Sequence, residues 1–155
     1  MLEIQDMAGH LIRRLHQISV SVFSERMKEA GFDLTPVQFA ALTAVETNPG
    51  IDQASLAGRI AYDRVTIGGV VDRLEGKGLV SRTVSAQDRR ARAVSLTPLG
   101  AETLARARPV VHGLQPDILS GLSTAERAQL IGLMKKTTDA GNAQSRAPLQ
   151  QPKAG

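Results

Sequence analysis

A mainly α-helical fold with one small β-hairpin is the class the sequence predicts, and three observations carry it. Segments with apolar residues at three- and four-residue spacing recur through the 155 residues, several of them opening on a capping signal. Two short β-branched runs stand on either side of one charged hexapeptide, Ser-Ala-Gln-Asp-Arg-Arg. The longest helical segments lie towards the two ends of the chain, with the short ones between them. This length suffices for one domain, or for a small core plus a dimerisation surface.

On a helical wheel of about 100° per residue, Leu11, Leu15, Ile18 and Val22 form one stripe, with Ile12, Ser19 and Phe23 beside it. A first helix is therefore expected over about residues 7–29, with Gly31 as its stop. Its apolar arc is wider than one core requires, which implies a partner chain. Thr35-Pro36-Val37-Gln38 is a helix start, with Thr35 as cap, Pro36 at the first helical position and Gln38 completing a capping box. That helix runs to about Thr47. After Asn48-Pro49-Gly50, Asp52 caps a short third helix, Ile51 and Leu56 being spaced as a hydrophobic staple around it. Asp63 caps a fourth, whose core face is Ile67, Val70, Val71 and Leu74, with Gly76 and Gly78 ending it.

Leu79–Val84 and Ala91–Leu96 form the hairpin. Thr97-Pro98 opens a long helix in which Pro109 is expected to bend or break the hydrogen-bond ladder. Ser123-Thr124-Ala125-Glu126 is a capping box for a last helix carrying Leu130, Ile131, Leu133 and Met134. From about Asn142 the chain offers little to bury, so a disordered tail is expected over 142–155. Three short helices followed by a hairpin describe a winged helix-turn-helix, residues 32–97, flanked by a helical dimerisation region, residues 1–31 and 98–141. No internal repeat is present.

Composition excludes several classes. There is no cysteine, hence no disulfide framework, thiol switch or cysteine-ligated zinc. The three histidines are dispersed without metal-ligand spacing, and no glycine-rich loop follows a strand, so neither an enzyme nor a cofactor is expected. No run approaches the roughly 18 apolar residues of a membrane span, and the first residues do not read as a signal peptide, so a cytoplasmic protein is the simplest reading. The formal charge is +4, unevenly placed. Residues 64–92 hold Arg64, Arg73, Lys77, Arg82, Arg89, Arg90 and Arg92 against Asp72, Glu75 and Asp88, a patch that attracts a polyanion.

Double-stranded DNA is the polyanion this pattern fits. On the fourth helix the face opposite the core is Val65, Gly68, Gly69, Asp72 and Arg73, with Arg64 and Thr66 in the first turn. Arg64, Val65 and Thr66 are candidates for base edges and thymine methyls, and Arg73 for a base or a phosphate. A glycine in a helix interior costs about 1 kcal/mol relative to alanine. Gly68 and Gly69 thus need a reason, either close approach to DNA or close packing of a neighbouring helix. From the hairpin, Arg82, Arg89, Arg90 and Arg92 are candidates for the backbone or minor groove. For Arg90 a phosphate contact and a salt bridge to Asp88 are both open. A nonspecific architectural DNA-binding protein is the alternative function, separable by competition with random DNA.

Four motifs in order carry a family resemblance: Val71-Asp72-Arg73-Leu74-Glu75, Lys77-Gly78-Leu79-Val80-Ser81-Arg82, Asp88-Arg89-Arg90-Ala91 and Leu96-Thr97-Pro98-Leu99-Gly100. Over roughly residues 7–140 the chain resembles the MarR family of bacterial regulators, named for multiple antibiotic resistance. The resemblance implies a homodimer joined through the first and last two helices, a pseudo-palindromic operator, repression, and release by a small molecule. Many relatives carry a polar or basic residue where this chain has Gly68 and Gly69, so direct readout rests on fewer side chains here.

His10-Leu11-Ile12-Arg13-Arg14-Leu15-His16-Gln17, together with Asp63 to Leu74, resembles members of that family controlling catabolism of aromatic acids, nicotinate among them. This implies an aromatic carboxylate effector, such as a hydroxynicotinate-like acid, held between the dimerisation helices and the DNA-binding lobe. The candidate effector residues are His10, Arg13, Arg14, His16, Phe39 and His112. His16 is placed at the edge of the apolar arc, either as a ligand contact or as a histidine satisfied by a backbone carbonyl. Arg13 or Arg14 would anchor a carboxylate.

Overall fold

The computed structural model describes residues 1–85 and 88–151. The hairpin-tip residues Ala86 and Gln87 and the last four positions of the expected tail, 152–155, lie outside the described residues. In chain order the elements are α1 (Ala8–Glu29), α2 (Pro36–Thr47), β1 (Ile51–Asp52), α3 (Gln53–Arg59), α4 (Arg64–Gly76), β2 (Val80–Val84), β3 (Arg92–Leu96), α5 (Pro98–Ile118) and α6 (Thr124–Gly141), with 3-10 turns at Ile4–Asp6 and Asn142–Gln144. The mainly helical winged fold expected from the sequence is present.

Side-chain caps set five of the helix starts. Thr35, Asp52, Asp63, Thr97 and Ser123 accept the backbone N–H of Gln38, Ser55, Thr66, Gly100 and Glu126, satisfying donors that have no partner inside a first turn. Both expected capping boxes close reciprocally. Two glycines in the left-handed region stop helices: Gly31 (φ 83°) after α1 and Gly78 (φ 74°) after α4. In each case the next residue donates back across the turn, Phe32 to Met27 at 2.8 Å and Leu79 to Leu74 at 3.0 Å, the Schellman arrangement. Gly76 is the last helical residue rather than a stop.

One core joins these elements. Phe23 and Met27 of α1, Leu42 and Val45 of α2, Leu56 of α3, Ile67 and Leu74 of α4, Val80 and Val94 of the strands, and Leu104 and Leu114 of α5 are all buried in it. Gln38 is buried with them, its side chain accepting from Lys77 at 3.0 Å and from the Thr35 N–H at 3.3 Å, so the start of α2 is tied to the end of α4. By contrast α6 buries no residue, and Leu11, Ile12 and Ile18 of α1 stay exposed.

The structure departs from expectation at three places. The hairpin is part of a three-stranded antiparallel sheet in the order β1-β3-β2, because Ile51 and Asp52 pair with Val94 and Ala93. Two residues show no alternation, so that strand is invisible to pattern reading. Helix α5 continues through Pro109, and through Pro116, without interruption. Each proline removes one ladder bond, yet α5 is held from outside by Arg108 on Glu46 (2.6 Å), Arg26 on Asp117 (3.2 Å) and Arg106 over the Phe32 ring (5.4 Å). Residues 142–151 are not a disordered tail. Asn142 hydrogen-bonds both backbone groups of Leu149, and the Gln150 N–H donates to the Gly58 carbonyl at 2.7 Å.

The junction of α4, β2, β3 and α5 is built on the Leu-Thr-Pro-Leu-Gly motif. The Thr97 hydroxyl donates to the Gly78 carbonyl (2.6 Å) and accepts from Gly100 N–H (3.0 Å), while the Thr97 N–H donates to the Leu79 carbonyl (3.1 Å). Gly100 is buried there, and a Cβ on it would overlap the Leu79 carbonyl. Gly100→Ala is therefore expected to destabilise the protein by about 3 kcal/mol through backbone displacement. Gly68→Ala, where a Cβ meets open space, should stabilise it by up to about 1 kcal/mol through helix propensity. Urea unfolding of the two variants checks the opposite signs.

Candidate nucleic-acid interface

With Ile67, Val70, Val71 and Leu74 turned into the core, α4 must present its opposite face outwards. Arg64, Val65, Thr66 and Arg73 are exposed there, Val65 to 88%. An 88% exposed valine has no role in holding this chain together and is free to meet a ligand surface. The Asp63 cap grips Thr66 twice, through its N–H (2.8 Å) and its hydroxyl (2.9 Å). These two bonds, backbone first, are the main reason the Asp63 carboxyl lies below the usual carboxylate range. The Thr66 hydroxyl proton is thereby committed to the cap.

Neither glycine of this face is a packing glycine. A Cβ on Gly68 would meet nothing within 4 Å, and one on Gly69 only the Arg73 guanidinium, at 3.6 Å. The choice left open by the sequence is resolved against a neighbouring helix. Gly69 leaves a shallow place in which Arg73, one turn on, lies along its own helix.

Arg82 corrects an expectation. Its guanidinium is clamped between Asp72 (2.7 Å) and Glu75 (2.9 Å) of α4, with Gln53 at 3.1 Å, and its side chain is only 19% exposed. It pins the wing to the recognition helix instead of facing DNA. The hydrogen bond with Glu75 raises the Arg82 pKa and lowers that of Glu75. Strand parity was the signal that could have found this: Arg82 stands opposite the fully buried Val94 and alternates with the buried Val80, so it shares their inward face.

At the wing tip Arg89 and Arg90 are exposed, as is Arg92 at the start of β3. Asp88 spends its carboxylate on the Arg90 backbone N–H (2.9 Å) and its carbonyl on the Ala91 N–H (3.0 Å). It shapes the loop through the backbone, and among the described residues the Arg90 guanidinium is in no salt bridge. Among the described residues, Arg64, Arg73, Arg89, Arg90 and Arg92 have no carboxylate within 4.0 Å. Arg64, Arg90 and Arg92 line one hollow between the start of α4 and the wing, together with Asp52, Asp88, Gln53 and Ser85; both carboxylates are spent on local hydrogen bonds, Asp52 on Ser55 and Asp88 on the Arg90 N–H. The sequence had these three arginines on two separate elements, and the fold turns them towards one space.

The candidate effector residues do not converge in this way. His16 is exposed, not half-buried, and lines an apolar hollow of about 450 Å³ between α1, α5 and α6, among Ile12, Leu15, Leu119, Ile131 and Met134. Phe39 stacks edge-on to Phe23 (centroids 6.4 Å apart) and lines a different hollow beside Arg59. His10 is half-buried on α1, whereas Arg13, Arg14 and His112 are exposed, and none of these four lines the His16 hollow. Sequence reading missed Gln115 and Arg127, which do. Among the described residues, the Arg127 guanidinium donates to neutral oxygens, the Leu122 carbonyl (3.4 Å) and the Thr124 hydroxyl (3.2 Å).

A capped recognition helix with an open outer face, and a sheet wing sharing an arginine-lined hollow with it, define a winged-helix DNA-binding protein. Residues 34–91 match the MarR family. A Thauera aromatica protein named as a transcriptional regulatory protein for the hcr operon is 37% identical over 132 residues, 84% of this chain and 80% of the relative. The transcriptional repressor NicR of Pseudomonas putida is 30% identical over 137 residues, 88% of this chain and 85% of NicR. The structure of Bordetella bronchiseptica BpsR, solved in a study of how 6-hydroxynicotinic acid regulates its DNA binding, superposes with a TM-score of 0.82. It is 28% identical and covers 90% of this chain and 98% of that one. The chain belongs to the MarR family and is a transcriptional regulator, not an enzyme.

The Arg82 clamp carries a signed pH dependence. Because the Glu75 pKa is depressed below its ordinary 4.5, the stability it contributes is fully present above that pH and is lost as pH falls through the folded value. The Tm difference between wild type and Arg82→Gln should therefore stay level from pH 7 down to about 5 and shrink below it. A difference that does not change with pH would show that the clamp is not ionic.

Proposed function

We propose that the protein is a homodimeric repressor that reads a pseudo-palindromic operator and is released by a small aromatic carboxylate of the hydroxynicotinate type. The observation that carries the reading is the shared hollow of Arg64, Arg90 and Arg92 beside an unpartnered helix face. With α4 in the major groove, Arg64 and Val65 reach base edges and a thymine methyl, while Arg73 and the wing arginines Arg89, Arg90 and Arg92 take phosphates or the minor groove. Gly68 and Gly69 contribute nearness of the backbone to the base pairs, not side-chain readout.

Dimerisation follows from what the single chain leaves uncovered. Leu11 and Ile18 of α1 and Leu133 of α6 are exposed apolar side chains outside the His16 hollow, the kind of surface that a partner chain covers. A twofold partner laying its own α1 and α6 on them would bury them and set two α4 helices about one DNA turn apart.

The effector reading is supported by the hollow between α1, α5 and α6. Its volume of about 450 Å³ lies in the range of small-molecule sites. Its walls are mostly aliphatic, and its polar groups, His16, Ser19, Gln115 and Arg127, suit a carboxylate with a ring hydroxyl or ring nitrogen. BpsR, whose DNA binding 6-hydroxynicotinic acid regulates, is similar over nearly the whole chain. A molecule seated between these helices favours one spacing of the reading heads over another, which is what release requires.

Fluorescence anisotropy with a duplex selected from a random pool, against random DNA, tests the DNA-binding part. Arg64→Ala should reduce the preference for the selected duplex, whereas Arg89→Ala should weaken both and lower the salt slope by about one per protomer. Equal losses on the two DNAs for Arg64→Ala refute base reading.

Titrating a panel of hydroxylated pyridine- and benzene-carboxylates into the complex tests release. At least one should dissociate it, and Arg127→Gln should blunt that response without weakening DNA binding in its absence. If no acid in the panel changes DNA affinity, the effector class is wrong.

A further inference from the structure

Beyond α6 the chain turns back onto the DNA-binding lobe, its loop closed on itself and then fastened to α3 by one backbone hydrogen bond. The Asn142 side chain closes an eight-residue loop on Leu149, donating to its carbonyl and accepting from its N–H, both at 2.9 Å. Gln150 then donates its N–H to the Gly58 carbonyl at 2.7 Å. Gly58 lies in the last turn of α3, where carbonyls lack partners within the helix. Those of Leu56 and Ala57 are taken by Ile60 and Tyr62, and that of Gly58 is taken by this segment. The Gln150 side chain lies so close over Gly58 that a Cβ there would overlap its amide. The returning chain thus completes the end of α3.

This docking sets Arg146 beside the start of the recognition helix. Its guanidinium is 3.7 Å from the Asp63 carboxylate, its side chain is 91% exposed, and it lines a hollow together with Tyr62, Asp63 and Arg64. Asp63 already spends both oxygens on Thr66, and an ion pair this exposed holds an arginine only weakly. The charge therefore stands in solvent one residue away from Arg64, at the end of α4 that enters the groove.

We propose that residues 142–150 are an extension of the DNA-binding lobe and that Arg146 is a further phosphate-contacting residue, one from each protomer. The inference rests on the DNA-binding reading above. A guanidinium at this place reaches the sugar–phosphate strand flanking the bases that α4 reads, adding affinity and register without sequence preference.

Anisotropy titrations of the full-length protein at several salt concentrations test it. Arg146→Gln should weaken binding to the selected duplex and to random DNA by the same factor, on the order of three- to tenfold, and lower the salt slope by about one per protomer. Arg146→Lys should keep the slope. Gln150→Pro carries no charge change and removes the N–H that fastens the segment, so it should reproduce the Arg146→Gln loss, with thermal unfolding confirming that the lobe stays folded. Unchanged affinity and slope in Arg146→Gln overturn the proposal, as does tighter binding, which would make the segment a shield. Failure of the wild type to bind any selected duplex would instead overturn the DNA-binding reading itself.

Discussion

The packing of Gly100 against the Leu79 carbonyl is the constraint on which the arrangement of the molecule depends. Around it meet the end of α4, the first residue pair of the β2–β3 ladder and the start of α5, with Thr97 bonded to both Gly78 and Leu79. A recognition helix must be held rigidly to whatever sets its spacing from a second copy. Here the link is the close approach of two backbones, tied by one short threonine side chain, and passes through no long flexible side chain. Motion imposed on α5 is delivered to the C-terminal end of α4 and the root of the wing together. Arg82, joining β2 to Asp72 and Glu75, then keeps wing and helix as one body.

That rigidity gives the ligand reading its physical sense. The His16 hollow is walled by α1, α5 and α6, of which α1 and α6 leave apolar side chains uncovered, and lies apart from the hollow lined by Arg64, Arg90 and Arg92. A molecule bound there has no need to touch the reading head. In the proposed dimer it would change the angle at which α5 leaves the frame, and the Gly100 junction would carry that angle to α4. Coupling of this kind requires only that the ligand bind one arrangement of the frame better than the other.

Local physics was readable from the sequence, and distant physics was not. Thr35, Asp52, Asp63, Thr97 and Ser123 announced their helices because a cap is a contact between residues three apart. The core face of α4 followed from its period, and its outer face from the core face. Strand β1 was hidden because two residues have no period. Arg82 was misread by counting charges without applying strand parity. Arg127 carries no local signal at all, since its place in a hollow depends on how α6 crosses α1 and α5. The segment after Asn142 looked disordered by composition, and its partner, the Gly58 carbonyl, is more than eighty positions away in the chain. Sequence composition does not register one well-placed acceptor.

Gly68 and Gly69 have a consequence beyond the contacts they forgo. Most positions that touch a partner are also constrained by the fold, so altering recognition usually disturbs the protein. These two lie at the middle of the reading surface, and the space above them is open except for the Arg73 guanidinium beside Gly69. The fold places almost no claim on them. A lineage bearing this helix can acquire a new operator by writing side chains into vacant positions, keeping its stability while its regulatory allegiance changes.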